Sequence, residues 1–290
     1  MHGLASLGDL ESARFAANRV GLHTVLTGPA DGPLVILLHG FPEFWYGWRH
    51  QLAPLAAAGL RVAAPDQRGY NLSDKPAGIA AYRLDVLADD VLALADALGR
   101  ERFAVLGHDW GGVIAWHLAG RNPERVSRAA ILNAPHPATL RRYAAHHPRQ
   151  LAKSWYVAYF QLPLLPELSL RAGNFWILQR VLRQTSAAGA FSAADLHRYR
   201  EAWRQPGTLT ATLNWYRALR HHRAVPASVP IRVPLRVIWG ERDAFLESGL
   251  ADAGLALCEK GEVVRLPGIG HWLQHEAAAE VNRRLLGFLR

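Results

Sequence analysis

Phe103-Ala104-Val105-Leu106-Gly107-His108-Asp109-Trp110-Gly111-Gly112 runs from an apolar stretch into a glycine-flanked turn, and Val113 to Ala119 resumes as an apolar helical pattern. The run Phe103 to Leu106 fits a buried strand, so the stretch predicts strand, turn and helix in succession. Small residues two before and two after the tip let neighbouring backbones approach closely, and such a corner presents one side chain at its apex. Gly107 and Gly111 hold those two places and Asp109 is the apex. Where such a corner often carries serine, a carboxylate widens the chemistry, because it attacks alkyl as well as acyl carbon. The competing reading is that Asp109 only caps the helix beginning near Gly111.

Working outward, Ala13 to Leu26 alternates weakly and ends in Thr27-Gly28-Pro29, which predicts an opening hairpin. Leu34 to Leu38 and Arg61 to Ala64 are continuous apolar runs, as strands buried on both faces of a parallel sheet require. Helical patterns at 48–58 and 85–98 separate these runs, and another helix (113–122) precedes a strand at Ser127 to Leu132. Alternating strands and helices mean an α/β fold with a mostly parallel, doubly covered sheet. After Asn133-Ala134-Pro135-His136-Pro137 the sequence turns helical, rich in Arg and aromatics, with breaks at Leu162 to Pro166 and Gln205-Pro206-Gly207. Strands return at Leu235 to Trp239 and Val263 to Leu266, before a closing helix from Ala277 to Leu289. The expected division is a core of 1–135 and 227–290 with an inserted helical cap, or lid, at 136–226 over the strand C-terminal ends, where open α/β sheets bind ligands.

The 290 residues are half apolar, enough for a sizeable core. The start of the chain carries Asp9, Glu11, Arg14 and Arg19 without an apolar leader, and no stretch reaches the ~18–20 apolar residues of a membrane span. Cys258 is the sole cysteine, which excludes an internal disulfide and a cysteine metal cage. A cytoplasmic protein is expected. The net charge of +9 is concentrated: residues 136–223 hold 13 Arg or Lys against Glu167, Asp195 and Glu201. This reads as an Arg-rich solvated helical face, or as a basic collar that attracts anions. No basic run interleaved with aromatics suggests a nucleic-acid groove, and no nucleic-acid partner is expected.

An ester formed on Asp109 must be cleaved by activated water, so a base is needed. His271, in Leu266-Pro267-Gly268-Ile269-Gly270-His271-Trp272 after the last strand, is placed to reach back toward Asp109, with His275 as the alternative. An acid that orients the imidazole is expected at Asp243, in the loop past the strand ending at Trp239, with Glu241 as the alternative. Water attack on the ester puts charge on the carboxylate oxygen. Donors for it are the backbone amides of Trp110 and Phe41; Pro42 has none, and His39 and Glu43 read as shaping their loop.

HGFPEFWYGWR (39–49), PDQRGYNLSDKP (65–76), GHDWGG (107–112), WGERD (239–243) and GIGHW (268–272) together resemble the α/β-hydrolase-fold epoxide hydrolases, in order and over nearly the whole chain. The order nucleophile, acid, base along the chain is the one that this topology produces. The resemblance implies conversion of an epoxide to a vicinal diol, with water as co-substrate and no cofactor or metal. It also implies two cap tyrosines that protonate the epoxide oxygen: Tyr159 in Trp155-Tyr156-Val157-Ala158-Tyr159-Phe160-Gln161, with Tyr156 as competitor, and Tyr216 in Asn214-Trp215-Tyr216-Arg217. Haloalkane dehalogenases resemble the chain too, but Phe41 replaces their usual Asn after His-Gly, leaving Trp110 to offer one indole. Haloacetate dehalogenases place arginines where Trp110 and Val113 stand. A non-catalytic small-molecule-binding protein of this fold is the remaining alternative, and monomer and homodimer stay open. Asn71 departs from the Gly that relatives often carry, with an effect expected on loop shape only.

Overall fold

The computed structural model describes residues 10–221 and 230–290. Arg223 and the expected return from the helical segment at 226–227 lie outside these residues. The order is β1 (Glu11–Ala17), β2 (Val20–Thr27), β3 (Leu34–Leu38), α1 (Leu52–Ala57), β4 (Arg61–Pro65), α2 (Leu84–Ala97), β5 (Phe103–His108), α3 (Trp110–Arg121) and β6 (Val126–Leu132). Six helices follow: α4 (Leu140–His146), α5 (Pro148–Lys153), α6 (Trp155–Tyr159), α7 (Leu165–Gln184), α8 (Ala193–Arg204) and α9 (Thr208–Arg217). Then come β7 (Leu235–Gly240), α10 (Gly249–Leu255), β8 (Gly261–Leu266), α11 (Leu273–Glu276) and α12 (Ala278–Leu289).

Period-two burial explains the apolar runs. Along β3, Leu34, Ile36 and Leu38 enter one core while Val35 and Leu37 enter the other; along β5, Val105 and Leu106 divide in the same way. Each such side chain contributes about 1.5–3 kcal/mol when buried, so a strand covered on both faces is apolar except at its ends, as Arg61 of β4 and His108 of β5 are placed. α2, α3 and α10 cover the first core, and α1, α11 and α12 the second. The opening hairpin turns at Asn18 and Arg19, both at positive φ (46° and 66°), the geometry that matches strand twist in a two-residue turn. The helix expected over 48–58 is shorter, because Trp45–Trp48 forms a separate 3-10 turn.

The eight strands run in the order β1-β2-β4-β3-β5-β6-β7-β8, parallel from β4 onward. From β3 the chain steps to β4 on one side and then returns past β3 to lay down β5 on the other. That reversal opens a crevice at the C-terminal ends of β3 and β5, where ligands bind in open α/β sheets. Asp109 leaves the end of β5 and Phe41 the end of β3. Among the helices of the insertion, α7 is broken by left-handed residues Gly173, Asn174 and Phe175, which the helical pattern did not foretell. No helix among the described residues is long and apolar enough to cross a membrane.

Candidate active site

Asp109 stands between β5 and α3 at φ 50° and ψ −121°. A non-glycine residue in such a conformation costs of order 1–3 kcal/mol and persists only where its surroundings dictate it. They do so here by backbone contact: a Cβ on Gly107 would fall 2.2 Å from the Gly111 carbonyl oxygen, and one on Gly111 would fall 2.0 Å from that of Leu38. Although Asp109 holds the N-cap position of α3, its side chain makes no capping bond. Its Oδ1 accepts instead from the Phe41 amide at 2.9 Å. The carboxylate is therefore turned to the crevice, and helix capping is not its role.

His271, after β8, and Asp243, after β7, arrive from the neighbouring strand ends. His271 Nδ1 lies 2.7 Å from Asp243 Oδ2, and its Nε2 is 3.8 Å from Asp109 Oδ2. Asp243 is fixed from several sides: Asn133 Nδ2 donates to Oδ2 at 2.6 Å, and the amides of Phe245 and Leu246 donate to Oδ1 at 2.7 and 2.9 Å. Burial opposes ionisation of Asp243, but the charge and hydrogen bond of His271 with these donors prevail and hold its pKa below the usual carboxylate value. Burial likewise disfavours the imidazolium of His271, yet Asp243, with Asp109 and Glu43 adding, raises its pKa above the ordinary histidine value. The alternatives sit elsewhere. Glu241 is exposed beside Arg265, and His275 is locked between Arg49, which donates to Nδ1 at 2.9 Å, and Glu43, which accepts from Nε2 at 2.7 Å. Burial, aided by Arg49, pushes the pKa of His275 down to about 4.

Beneath His271 lies a polar layer of which sequence reasoning considered only Glu43, as loop shaping. Glu43, buried, accepts from Tyr199 Oη at 2.6 Å and Gln274 Nε2 at 2.9 Å, and lies 3.3 Å from His108 Nδ1. His108 Nε2 donates to the His271 carbonyl at 2.9 Å. Titratable residues inside both motifs that build the crevice, Glu43 and His108, were the available signal. A second support comes from α5: Gln150 donates to the Phe245 carbonyl at 3.0 Å and accepts from the Glu247 amide at 2.8 Å, while Lys153 Nζ donates to the Asp243 carbonyl at 2.6 Å. The inserted helices thus grip the loop that carries Asp243.

A cavity of about 740 Å³, lined mainly by apolar side chains, holds Asp109 and His271 at its floor. Tyr156 on α6 and Tyr216 on α9 meet edge-on above them, ring centroids 6.0 Å apart. Burial foremost, and then the Asp109 charge, suppress the ionisation of both phenols. The Trp110 side chain hydrogen-bonds to Tyr216; an indole only donates, so the Tyr216 oxygen accepts. Tyr159 also lines the cavity, but its hydroxyl is 2.7 Å from Ser169 Oγ and donates to the Leu165 carbonyl. As the last residue of α6, Tyr159 meets the incoming turn of α7, whereas it is the Tyr156 ring that lies edge-on to Tyr216. Asn71 holds φ 39° and donates to Asp66 at 2.8 Å, so it takes the place of a loop glycine. Among the described residues no three His, Cys, Asp or Glu side chains converge to hold a metal ion.

Over residues 33–278 the chain matches the family described as alpha/beta hydrolase fold. It is 47% identical to the AB hydrolase superfamily protein YfhM of Bacillus subtilis, across 94% of this chain and 96% of that protein. It is 35% identical to Epoxide hydrolase 4 of Mus musculus, across 98% of this chain and 80% of that protein. A solved structure of an epoxide hydrolase variant from Bacillus megaterium superposes with a TM-score of 0.86 at 31% identity, covering 96% of this chain and 99% of that one. The protein belongs to the α/β-hydrolase fold family.

Proposed function

We propose that this protein is an epoxide hydrolase that forms vicinal diols through a covalent ester on Asp109, with the helices between β6 and β7 serving as its cap. The observation that carries the reading is the pair of phenols, Tyr156 and Tyr216, which line one cavity with Asp109 close enough that its charge acts on both. An Asp109 oxygen attacks an oxirane carbon, the C–O bond breaks, and the oxygen takes up a proton from a tyrosine as charge develops on it. A phenol kept protonated by burial is suited to that donation. The leaving oxygen stays attached to the substrate, which distinguishes an epoxide from a halide. In the second half-reaction His271, oriented by Asp243, takes a proton from water that adds to the ester carbonyl. The Phe41 amide, already on Oδ1, and the Trp110 amide hold the resulting oxyanion. The acyl–oxygen bond then breaks, the departing alkoxide takes the proton held by His271, and the Asp109 carboxyl returns its proton to the tyrosinate, which releases the diol and regenerates both the carboxylate and the phenol.

Esterification also tunes the base. It removes the Asp109 charge, one of the causes that raise the His271 pKa, so the imidazole loses its proton more readily once the ester exists. Replacing Asp243 by Asn removes the largest charge stabilising the imidazolium. The His271 pKa then falls, and the acid limb of the hydrolysis rate moves to lower pH while the rate itself drops, by about 10²–10⁴-fold for a misoriented base. Stopped-flow rates across pH check both; an acid limb left in place would detach Asp243 from the imidazole.

Dehalogenation is disfavoured because the Trp110 indole, which a halide site would need, is bonded to the Tyr216 hydroxyl. An aryl-substituted terminal epoxide and a bromoalkane of similar size, offered separately, decide between the readings. Diol without bromide release is the expected result; bromide without diol contradicts it.

A further inference from the structure

We propose that the outer face of the cap is a docking surface for an anionic lipid bilayer, with the mouth of the cavity opening onto it. Of the nine large hydrophobic side chains that are exposed among the described residues, seven fall between Leu151 and Trp176. Leu151, Trp155, Leu164 and Leu168 are each more than 60% exposed. Those of α6 and the first turn of α7 belong together in space. Trp155 stacks beside Tyr159, with ring centroids 6.1 Å apart, and the Tyr159 hydroxyl reaches Ser169 and the Leu165 carbonyl, which sets α6 against the first turn of α7. Trp155 both lines the cavity and is 67% exposed, so the cavity reaches solvent through this apolar face. An exposed patch of this kind, with only Leu72 and Leu219 exposed elsewhere among the described large hydrophobics, marks an interaction site.

Charge selects the occupant. Residues 148–183 hold Arg149, Lys153, Arg171, Arg180 and Arg183 against one acid, Glu167, and Glu167 is taken by Arg217 at 2.7 Å. Arg171, Arg180 and Arg183 are exposed, as is Arg149, which lies 3.8 Å from Glu247, and the Arg180 guanidinium lies 5.0 Å over the ring of the exposed Trp176. Two copies of so positive a face repel each other, whereas an anionic leaflet attracts it. Leu and Trp side chains enter the boundary between headgroups and acyl chains, and the arginines reach lipid phosphates. Given the proposed chemistry, on which this consequence rests, an apolar epoxide dissolved in the bilayer enters the cavity past Trp155 without crossing water.

The test is co-sedimentation of the full chain with vesicles of phosphatidylcholine alone and with about a third phosphatidylglycerol, where at least about tenfold tighter binding to the anionic vesicles is expected, weakened by salt. The double variant Leu164→Ser, Leu168→Ser lies outside the cavity. It is expected to lose that binding while hydrolysing a water-soluble epoxide at the original rate in the absence of vesicles. Equal binding to both vesicle types, no binding, or binding unchanged in the variant overturns the proposal. So does a lipid-free dimer that the variant dissociates while the parent ignores vesicles, which assigns the face to a second copy. Diol formation without vesicle binding defeats the docking surface alone; vesicle binding without diol formation defeats the proposed chemistry alone.

Discussion

His271→Gln protein mixed with an epoxide is expected to gain the mass of one intact substrate and to keep it. Attack by Asp109 asks nothing of His271, whose Nε2 stands 3.8 Å away, beyond direct hydrogen bonding. Hydrolysis asks for a proton acceptor, and glutamine is none, so the second half-reaction slows by about 10²–10⁴-fold while the first proceeds. The ester accumulates, and intact-protein mass followed by peptide mapping places it on Asp109. Asp109→Ala gives neither adduct nor diol. A fully active Asp109→Ala protein, or an adduct on another residue, contradicts the assignment of the nucleophile.

Removing the tyrosine hydroxyls stops the earlier step. Ring opening leaves charge on an oxygen inside a mainly apolar cavity, and the proposed donors are the phenols of Tyr156 and Tyr216, which line it with Asp109. Tyr156→Phe and Tyr216→Phe are each expected to slow alkylation by about 10²-fold or more, and the double variant to fall below detection, because a buried oxyanion without a donor is strongly disfavoured. Both rings stay in their aromatic box, with Phe160 5.0 Å from Tyr216 and 5.7 Å from Tyr156, so the effect reads the hydroxyl and not the packing. Tyr159→Phe serves as the control, with a change of about twofold at most, since its hydroxyl serves Ser169 and the Leu165 carbonyl. Single-turnover quenching of tryptophan fluorescence measures each alkylation rate. Equal losses at Tyr159 and Tyr156 would return the donor role to the former.

What the sequence made legible follows from where physical constraint is local. The elbow is written in consecutive residues because Gly107 meets the Gly111 backbone within that one turn while Gly111 meets the end of β3, and β3 and the run Phe103 to Leu106 of β5 are apolar because both faces are buried. His271 and Asp243 were readable from their position after strands, which topology alone fixes. Choosing between Tyr156 and Tyr159 was not possible in this way: the residues are three apart on a short helix, and what separates them is Ser169 from the next helix, a tertiary contact without local signature. The break at Gly173 to Phe175 was hidden for the same reason, since Phe175 is held at φ 63° and buried where it meets Trp203 on α8. The polar layer of Glu43 and His108 escaped notice because each residue sits in a motif already explained by its neighbours.

The most direct test of the ester is a single turnover in H₂¹⁸O with enzyme in excess over epoxide. Water adds to the carbonyl carbon of the ester and the acyl–oxygen bond breaks, so the oxygen delivered to the substrate comes from Asp109. The first-turnover diol is expected to be unlabelled, with the heavy oxygen found in the Asp109 carboxylate. Labelled diol on the first turnover, with an unlabelled Asp109, means that water attacks the epoxide directly and that no ester forms.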